Sequence, residues 1–219
     1  MIPMFVINMI KSNDRRVAIK DAFIFDNLIW SDAVEGIPFD DKNCKRKNNI
    51  ELLSSEIACA QSHMNVWKTI IKNSIPFSIV IEDDVKPVED RYSIANIDYS
   101  KYLPFDVLFL QVNFKNSCVA DSENNYVLGR GAHAYLITKN GAEKSIKSMT
   151  PIIRQLDVQW MSAFEKTNMF YKNCKPTKNI KAKVLKNGII EHSPMARTTT
   201  FTTSGDKSWT DGWFKGGYK

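Results

Sequence analysis

The sequence predicts an α/β fold in one domain, in which buried strands of a parallel sheet alternate with helices. A short apolar run, residues 2–7 (IPMFVI), predicts a first strand, and a segment with helical periodicity follows it. A second apolar run, residues 77–81 (FSIVI), has the same character and ends directly at three acids. The 219 residues suffice for one such domain with a sizeable core, and not for two.

The remaining elements follow from hydrophobic spacing and turn signals. Residues 14–28 and 54–73 have helical periodicity, and Ser54 or Ser55 is placed to cap the second helix, with Glu56 in its first turn. The segment 30–36 predicts a return to the sheet, and the polar segment 39–49 predicts a loop. Further strands are predicted at 106–112, 126–128 and 132–138, and further helices at 140–148 and 155–164.

Composition excludes several classes of protein. Hydrophobic residues make up 43% and charged residues 25% of the chain, close to globular averages, so neither disorder nor a fibrous architecture is indicated. The apolar start is too short for a signal sequence, and no window reaches the length of a membrane span. Four cysteines form no CxxC pair and no metal spacing, which predicts reduced thiols and a cytoplasmic protein: Cys44, Cys59, Cys118 and Cys174.

The net charge of +6 belongs to the C-terminal quarter of the chain. Residues 1–165 hold 19 Lys and Arg against 21 Asp and Glu, whereas residues 166–219 hold 11 against 3, a net +8. Such a segment suits an anionic partner, which could be a membrane surface, a phosphorylated glycolipid or nucleic acid. A merely solvated basic face is the alternative.

The last residues also carry aromatic side chains. Trp209, Trp213, Phe214 and Tyr218 interleave with lysines, a combination typical of a membrane interface. A tail without order, or an aromatic segment packed back on the domain, is the alternative.

Three adjacent acids, Glu82, Asp83 and Asp84, are the sharpest local feature. Hydrophobic residues draw 77–81 into the sheet and leave the acids at its carboxyl end, where open α/β sheets bind ligands. Because adjacent like charges repel, a divalent cation would offset their cost, and an oxygen-only set suits Mg²⁺ or Mn²⁺ rather than Zn²⁺. Such a cation commonly binds phosphate oxygens, which favours a nucleotide diphosphate. A solvated acidic turn is the alternative.

Two nucleotide-binding signatures are missing from the sequence. It contains no GxxxxGK[ST] motif and no GxGxxG after the first strand. The sequence therefore argues against a P-loop NTPase and against an NAD-dependent enzyme.

Six blocks of sequence resemble glycosyltransferase family 25, the bacterial lipooligosaccharide galactosyltransferase type, and they stand in that family's order. They are FVIN with DRR (5–8, 14–16), DAVEG (32–36), LSSEIACAQSHMNVWKTI (53–70), IVIEDDV (79–85), GAHAYLITKNGAEKSI (131–146) and LDVQWM (156–161). The resemblance implies a GT-A fold over residues 1–195, a Rossmann-like domain with a mixed, mostly parallel sheet flanked by helices. Residues 196–219 would then form a basic, aromatic tail.

The same resemblance implies an inverting transfer of a hexose, galactose from UDP-galactose, onto a lipooligosaccharide, lipopolysaccharide or related surface glycan. It implies that Asp84 holds Mn²⁺ or Mg²⁺, with Glu82 and Asp83 contacting the metal or the nucleotide ribose. It also places Asn8 near the nucleotide. Arg15 or Arg16 would face the diphosphate, unless both arginines are solvated helix residues.

The three histidines carry separate expectations. His192 is a candidate metal ligand by analogy with the late histidine of many GT-A enzymes. His63, from the SH pair of the resembling blocks, has either a capping or core role or a direct ligand contact. His133 lies between small residues of a predicted strand and is expected to be satisfied within the structure.

Asp157 is the predicted general base. An inverting transferase needs a carboxylate or histidine to accept the proton of the acceptor hydroxyl, and acids that hold a cation are too weakly basic. Asp157 is the only acid between Glu143 and Glu165 and stands at a predicted helix start. It matches the acid of the family's Pro-Ile-Asp-like block, although Gln155 and Leu156 precede it here. A simple N-cap role is the alternative.

The predicted partners are a UDP-sugar donor and a glycolipid or oligosaccharide acceptor, with peripheral contact to the anionic inner membrane and no nucleic acid. The sequence is also compatible with two other functions. One is a metal-dependent phosphodiesterase or nuclease that acts on a polyanion with the same acids, although such an enzyme would be expected to carry more metal-spaced His and Asp. The other is a catalytically inactive, glycan-binding relative.

Overall fold

The computed structural model describes residues 2–23, 27–36, 52–88, 94, 97–111, 118–129, 131–167 and 177–193. The helices are α1 (Asn13–Ala22), α2 (Ser54–Lys72), α3 (Lys139–Met149) and α4 (Leu156–Met161), with a 3-10 helix at Tyr99–Tyr102. The strands are β1 (Met4–Asn8), β2 (Leu28–Asp32), β3 (Phe77–Glu82), β4 (Val85–Pro87), β5 (Val107–Phe109), β6 (Cys118–Ala120), β7 (Tyr126–Gly129), β8 (Ala134–Thr138), β9 (Ala182–Val184) and β10 (Ile190–His192).

Six of these strands form the central sheet, in the order β2-β1-β3-β8-β5-β9. Strand β8 runs antiparallel to β3 and β5, and the other neighbouring pairs are parallel. This mixed, mostly parallel sheet with flanking helices confirms the predicted fold class. In the pairing of β1 with β3, Ile7 lies opposite Glu82, so the two strands end at the same edge of the sheet.

Both faces of the sheet are buried, which explains the continuous apolar runs of β1 and β3. Side chains alternate along β1, so Phe5 and Ile7 belong to one core while Met4 and Val6 belong to the other. The first core packs against α2, α3 and α4, and its large aromatic side chains are Trp67, Phe109, Tyr126, Tyr135, Trp160 and Phe164. The second core packs against α1 and the 3-10 helix.

Two helices end earlier than their periodicity predicts. Helix α1 stops at Ala22 rather than near residue 28, because Phe23 has an extended backbone and buries its ring in the second core. Helix α4 stops at Met161 rather than at Phe164, which instead forms a parallel bridge with Ile180. In both cases a buried aromatic side chain ends the helix where periodicity alone would extend it.

The prediction that Ser54 or Ser55 caps α2 is wrong. The N-cap is Leu53, whose backbone N–H donates to Glu56 Oε2 at 2.9 Å. Glu56 therefore accepts from the N–H of the N-cap residue, whereas a serine cap would accept from an N–H of the first turn of the helix.

The predicted loop at 39–49 and the tail at 196–219 lie outside the described residues, so the domain boundary at residue 195 stays a prediction. None of the helices in the described ranges is long and apolar enough to cross a membrane.

Candidate active site

A cleft of about 380 Å³ opens at the edge of the sheet where β1 and β3 end. The cleft is lined by the three acids at the end of β3 and by residues 33–36, which follow β2. Helix α2 forms another wall with Ser55, Ala58, Cys59, Ser62 and His63. Because β1, β2 and β3 are parallel, the segments that follow them meet at one edge, which is where α/β sheets bind ligands.

Asp83 is held on both carboxylate oxygens by residues of the first strand-helix unit. Arg15 donates to Oδ1 at 2.6 Å, and Asn8 Nδ2 donates to Oδ2 at 2.6 Å. Arg15 lines the cleft, whereas Asn8 is fully buried. Asp83 therefore ties β1 and α1 to the end of β3, and its oxygens are already occupied.

Asp84 is buried, and one of its carboxylate oxygens accepts no hydrogen bond from the described residues. It is 8% exposed, and no group in the part of the chain that the structure describes donates a hydrogen bond to Oδ1. Burial, together with the charges of Glu82 and Asp83, raises the pKa of Asp84 to about 7. A buried carboxylate oxygen without a donor, beside two other acids, suits a cation ligand.

Strand pairing brings His192 to Asp84. Strands β4 and β10 form an antiparallel ribbon in which His192 lies opposite Val85, and Ser193 N–H donates to the Asp84 carbonyl at 2.8 Å. The His192 Nδ1 atom is 3.9 Å from Asp84 Oδ2, and the imidazole is about half exposed at 52%. The predicted pair of candidate metal ligands is thus adjacent.

Glu82 is hydrogen-bonded to His63 on α2. His63 Nε2 lies 3.1 Å from Glu82 Oε1, and His63 Nδ1 lies 2.8 Å from the hydroxyl of Tyr135 on β8. Burial opposes ionisation of Glu82, but the hydrogen bond with His63 favours it, and the pKa of Glu82 is lowered. The core role considered for His63 is confirmed, since the residue is buried, and direct contact with a ligand stays a prediction.

All three histidines of the chain gather at the acids. The ring of His133 packs against that of His192, with centroids 4.0 Å apart and an angle of 41° between the ring planes. Burial, followed by the charge of His192, lowers the pKa of His133 to about 4, so this imidazole stays neutral. Gly131 has a φ of +85°, and a Cβ there would lie 2.8 Å from His133 Nδ1, so this turn favours glycine.

The family model for glycosyltransferase family 25, described as an LPS biosynthesis protein, matches residues 1–160. The chain belongs to glycosyltransferase family 25. As a glycosyltransferase it uses a sugar donor and a glycan acceptor. The matched span contains the acids, α2, His133 and Asp157, and it ends before His192.

Two solved structures resemble this family 25 chain at low similarity. A197 from STIV is 13% identical with a TM-score of 0.45, over 88% of this chain and 85% of that chain. HddC from Yersinia pseudotuberculosis is 12% identical with a TM-score of 0.39, over 87% of this chain and 73% of that chain. No curated protein sequence matches the chain at a significant level.

In this family 25 chain, the two arginines of α1 lie in different surroundings. Arg15 pairs with Asp83 inside the cleft. Arg16 donates to Asn8 Oδ1 and to Asp32 Oδ1, and its guanidinium lies 5.0 Å from the ring centroid of Trp30. Of the two, only Arg15 lines the described cleft, so it is the arginine that could approach a bound diphosphate.

Asp157 is the second residue of α4, and the N-cap of that helix is Gln155. The N-cap alternative for Asp157 is therefore wrong, although an acid in the first turn still favours the helix dipole. Asp157 is half-buried and is not one of the residues that line the described cleft. It lies near Cys59 of the α2 wall, since its charge adds to burial and to Glu82 in raising the pKa of that thiol well above its ordinary value. Gln155 also donates to Glu56 at the start of α2, which holds the two helix starts together.

Sequence reasoning missed the wall that α2 contributes. Cys59, His63 and Glu82 bring one ligand atom each within 4.8 Å of one another, a set that could hold a metal ion. Cys59 and His63 are four residues apart on a helix, and this spacing was the readable signal. Sequence reasoning also missed the pair of Lys11 and Glu35, which both line the cleft.

Proposed function

We propose that this family 25 protein is a metal-dependent, inverting glycosyltransferase of the GT-A type. It transfers a hexose, galactose from UDP-galactose, onto a lipooligosaccharide, lipopolysaccharide or related surface glycan. The observation that carries the proposal is Asp84, whose buried Oδ1 has no donor among the described residues and faces the charges of two neighbouring acids. These acids stand at the carboxyl end of parallel strands in a cleft.

The donor set fits Mn²⁺ or Mg²⁺. Asp84, Glu82 and His192 would hold the ion, because Asp83 is already bonded on both oxygens. Bound there, the cation would neutralise charge on the leaving diphosphate. The cleft also presents the cationic side chains of Lys11 and Arg15, which suits a phosphate-bearing donor.

The chain's own residues would divide the remaining work. Arg15, fixed by Asp83, orients the diphosphate, and Asn8 supports both Asp83 and Arg16 from below the cleft. Asp157 accepts the proton of the acceptor hydroxyl from the α2 and α4 side, apart from the acids that would hold the cation. Inversion requires this separation of base and leaving group.

We place the enzyme in the cytoplasm, at the inner face of the membrane where glycolipid acceptors are exposed. The net +8 of residues 166–219 supports contact with an anionic surface. Nucleic acid is not part of this proposal.

The test is a donor panel. Purified protein is incubated with UDP-galactose, UDP-glucose and UDP-N-acetylglucosamine, with Mn²⁺ or EDTA, and with or without truncated lipooligosaccharide. We expect acceptor-dependent UDP release with UDP-galactose and Mn²⁺, loss of release in EDTA, and an inverted anomeric configuration of the product by NMR. Acceptor-dependent transfer that persists in EDTA would exclude the metal, and transfer of another hexose would exclude galactose.

The same assay separates the other two functions. Hydrolysis of bis(p-nitrophenyl) phosphate without sugar transfer would favour the phosphodiesterase. Binding of the glycan without UDP release from any donor would favour the inactive relative.

A further inference from the structure

Four side chains form a continuous hydrogen-bonded chain behind the cleft. Trp67 Nε1 donates to the Tyr135 hydroxyl at 2.9 Å, this hydroxyl lies 2.8 Å from His63 Nδ1, and His63 Nε2 lies 3.1 Å from Glu82 Oε1. Trp67 and Tyr135 are 0% exposed and His63 is 1% exposed. These hydrogen bonds therefore connect the core to Glu82, an acid of the cleft.

The donor and acceptor capacities of these groups set the direction of the hydrogen bonds. An indole N–H only donates, so the Tyr135 hydroxyl accepts from Trp67 and gives its own hydrogen to His63 Nδ1. A neutral imidazole that accepts at Nδ1 carries its proton on Nε2, which then donates to Glu82. Burial raises the pKa of Tyr135 well above its ordinary value, so the hydroxyl keeps its hydrogen.

The opposite direction leaves a buried group unsatisfied. If His63 Nδ1 carried the proton, the Tyr135 hydroxyl would receive two donors, and its hydrogen would have no acceptor among the contacts of the described residues. A buried polar group without a partner costs about 1 to 3 kcal/mol.

The fold fixes the positions of the four hydrogen-bonded side chains. His63 and Trp67 are four residues apart on α2 and share one face of that helix. Tyr135 lies opposite Val80 in the pairing of β8 with β3, two residues before Glu82. The rings of His63 and Tyr135 are nearly parallel, at 24° with centroids 5.8 Å apart.

We infer that Trp67 and Tyr135 fix the imidazole of His63 so that its Nε2–H holds Oε1 of Glu82, which leaves Oε2 as the oxygen available to a ligand in the cleft. His63 is thus a positioning residue for Glu82. The inference rests on the proposed function only for what Glu82 binds, since the hydrogen-bond direction does not depend on it.

One consequence concerns Cys59. Because Nε2 carries a proton, it offers no lone pair, so the set of Cys59, His63 and Glu82 would not bind Zn²⁺ without breaking the hydrogen bond to Glu82. A Zn²⁺ titration of the wild type that shows tight binding, lost in Cys59→Ala and in His63→Gln, would overturn the inference.

Nitrogen-15 NMR of the imidazoles tests the direction without any ligand. The chain has three histidines, so their signals can be assigned with single His→Gln variants. In the wild type we expect a proton on Nε2 of His63 and none on Nδ1. In Tyr135→Phe, which removes only the hydroxyl, Glu82 should keep the proton on Nε2, while the Nδ1 signal should shift because its hydrogen bond is lost. The control is Tyr99→Phe, another buried tyrosine whose hydroxyl donates to the Ile94 carbonyl, and it should leave the His63 signals unchanged. A proton on Nδ1 in the wild type would overturn the inference.

Mn²⁺ titration tests the effect on Glu82. In His63→Leu, which removes the donor, we expect Mn²⁺ affinity to fall by about 10- to 100-fold, as for other supporting partners of metal ligands. In His63→Gln, whose amide can still donate to Glu82, affinity should stay within a few-fold of wild type. Equal losses in both variants would overturn the positioning role. If the wild type bound no Mn²⁺, the proposed metal dependence would fail, and the tautomer of His63 would still decide the inference.

Discussion

Asn8 donates a 2.6 Å hydrogen bond from Nδ2 to Oδ2 of Asp83, and the bond joins the ends of two neighbouring parallel strands. Asn8 Oδ1 accepts from Arg16, while the other oxygen of Asp83 accepts from Arg15. The middle acid of the three therefore connects β1, α1 and β3. Its two neighbours, Glu82 and Asp84, keep oxygens for a ligand.

This arrangement predicts that substitutions of Asp83 and Asp84 impair different properties, donor binding for Asp83 and metal binding for Asp84. Asp83→Asn replaces an acceptor by an N–H₂ group that must face either Arg15 or Asn8, both donors, so Arg15 loses its fixed position. We expect the KM for UDP-galactose to rise about 10-fold, with Mn²⁺ affinity within a few-fold of wild type. Asp84→Asn should instead abolish Mn²⁺ binding and nearly all turnover. Steady-state kinetics and Mn²⁺ calorimetry on both variants check this, and an equal loss of Mn²⁺ affinity would contradict the division.

The raised pKa of Asp84 predicts a stability that depends on pH and on the cation. The folded chain holds this proton up to a pH of about 7, whereas an unfolded aspartate releases it near its ordinary value of 3.8. In EDTA, the contribution of Asp84 to the free energy of unfolding should therefore fall as pH rises from 4 to 8. Asp84→Asn removes this cost and should be more stable than wild type at pH 8, by about 1 to 4 kcal/mol, and equal to it near pH 4.

Urea unfolding of both proteins in EDTA at the two pH values measures the difference. Asp21→Asn, an exposed position on α1, is the matched control and should show no such pH-dependent gain. With saturating Mn²⁺ at pH 8 the wild type should be more stable than Asp84→Asn, because only the wild type is stabilised by binding the cation. A less stable Asp84→Asn in EDTA at pH 8 would refute the argument.

The parts of the fold that were predictable are those where burial fixes the pattern. Strands β1 and β3 are covered on both faces, so their apolar runs were readable, and the acids after β3 were placed at the correct edge. The α/β class and the family followed from these segments and from α2. The ends of α1 and α4 were less predictable, because Phe23 and Phe164 lie outside these helices with their side chains buried in the two cores.

The contacts within the site depend on pairings that leave little trace in sequence. His192 reaches Asp84 through β4, a three-residue strand that ends in Pro87 and carries no apolar alternation. Tyr135 reaches His63 only because β8 pairs antiparallel with β3. The acids were local and predictable, whereas their partners were set by register.

Gly141 predicts a substitution whose effect on stability has the sign opposite to helix propensity. It lies in the first turn of α3, where alanine normally stabilises a helix by about 1 kcal/mol. A Cβ there would lie 2.3 Å from the Asp106 carbonyl oxygen, which also accepts from Thr138. We expect Gly141→Ala to destabilise by about 1 to 3 kcal/mol in thermal unfolding. Lys147→Ala on the same helix should stay within about 0.5 kcal/mol, and a stabilising Gly141→Ala would show that α3 can shift away from Asp106.

The basic C-terminal residues predict membrane contact that is separable from chemistry. Deleting the residues after Thr198 should reduce sedimentation with anionic liposomes while hydrolysis of a soluble donor stays largely intact. The interaction should weaken with salt, because exposed charges are screened within about 8 Å at physiological ionic strength. Neutral liposomes are the control. Equal sedimentation of the full-length and truncated proteins with anionic liposomes would remove the membrane from the proposal.

The last prediction concerns Asp157 as the general base. A sugar hydroxyl is a poor nucleophile until its proton is accepted, and the acids at the end of β3 are unsuited to that step if they hold a cation. Asp157 lies on α4, close enough to Cys59 of the α2 wall to raise the pKa of that thiol. Asp157 is the second residue of α4, so it does not cap that helix. Its negative charge near the helix start still stabilises the helix by about 0.3 to 1 kcal/mol.

Asp157→Asn separates the base from the helix charge. The amide cannot accept the proton, so turnover should fall by about 10² or more, with donor affinity unchanged. Loss of the helix-charge term alone would lower the melting temperature slightly and leave turnover within a few-fold of wild type. Asp157→Glu is the matched variant, because it restores the charge and the proton acceptor at a shifted position and should recover stability with part of the turnover. If Asp157→Asn keeps near-wild-type turnover, Asp157 serves only the helix, and the base must be another group facing the acceptor.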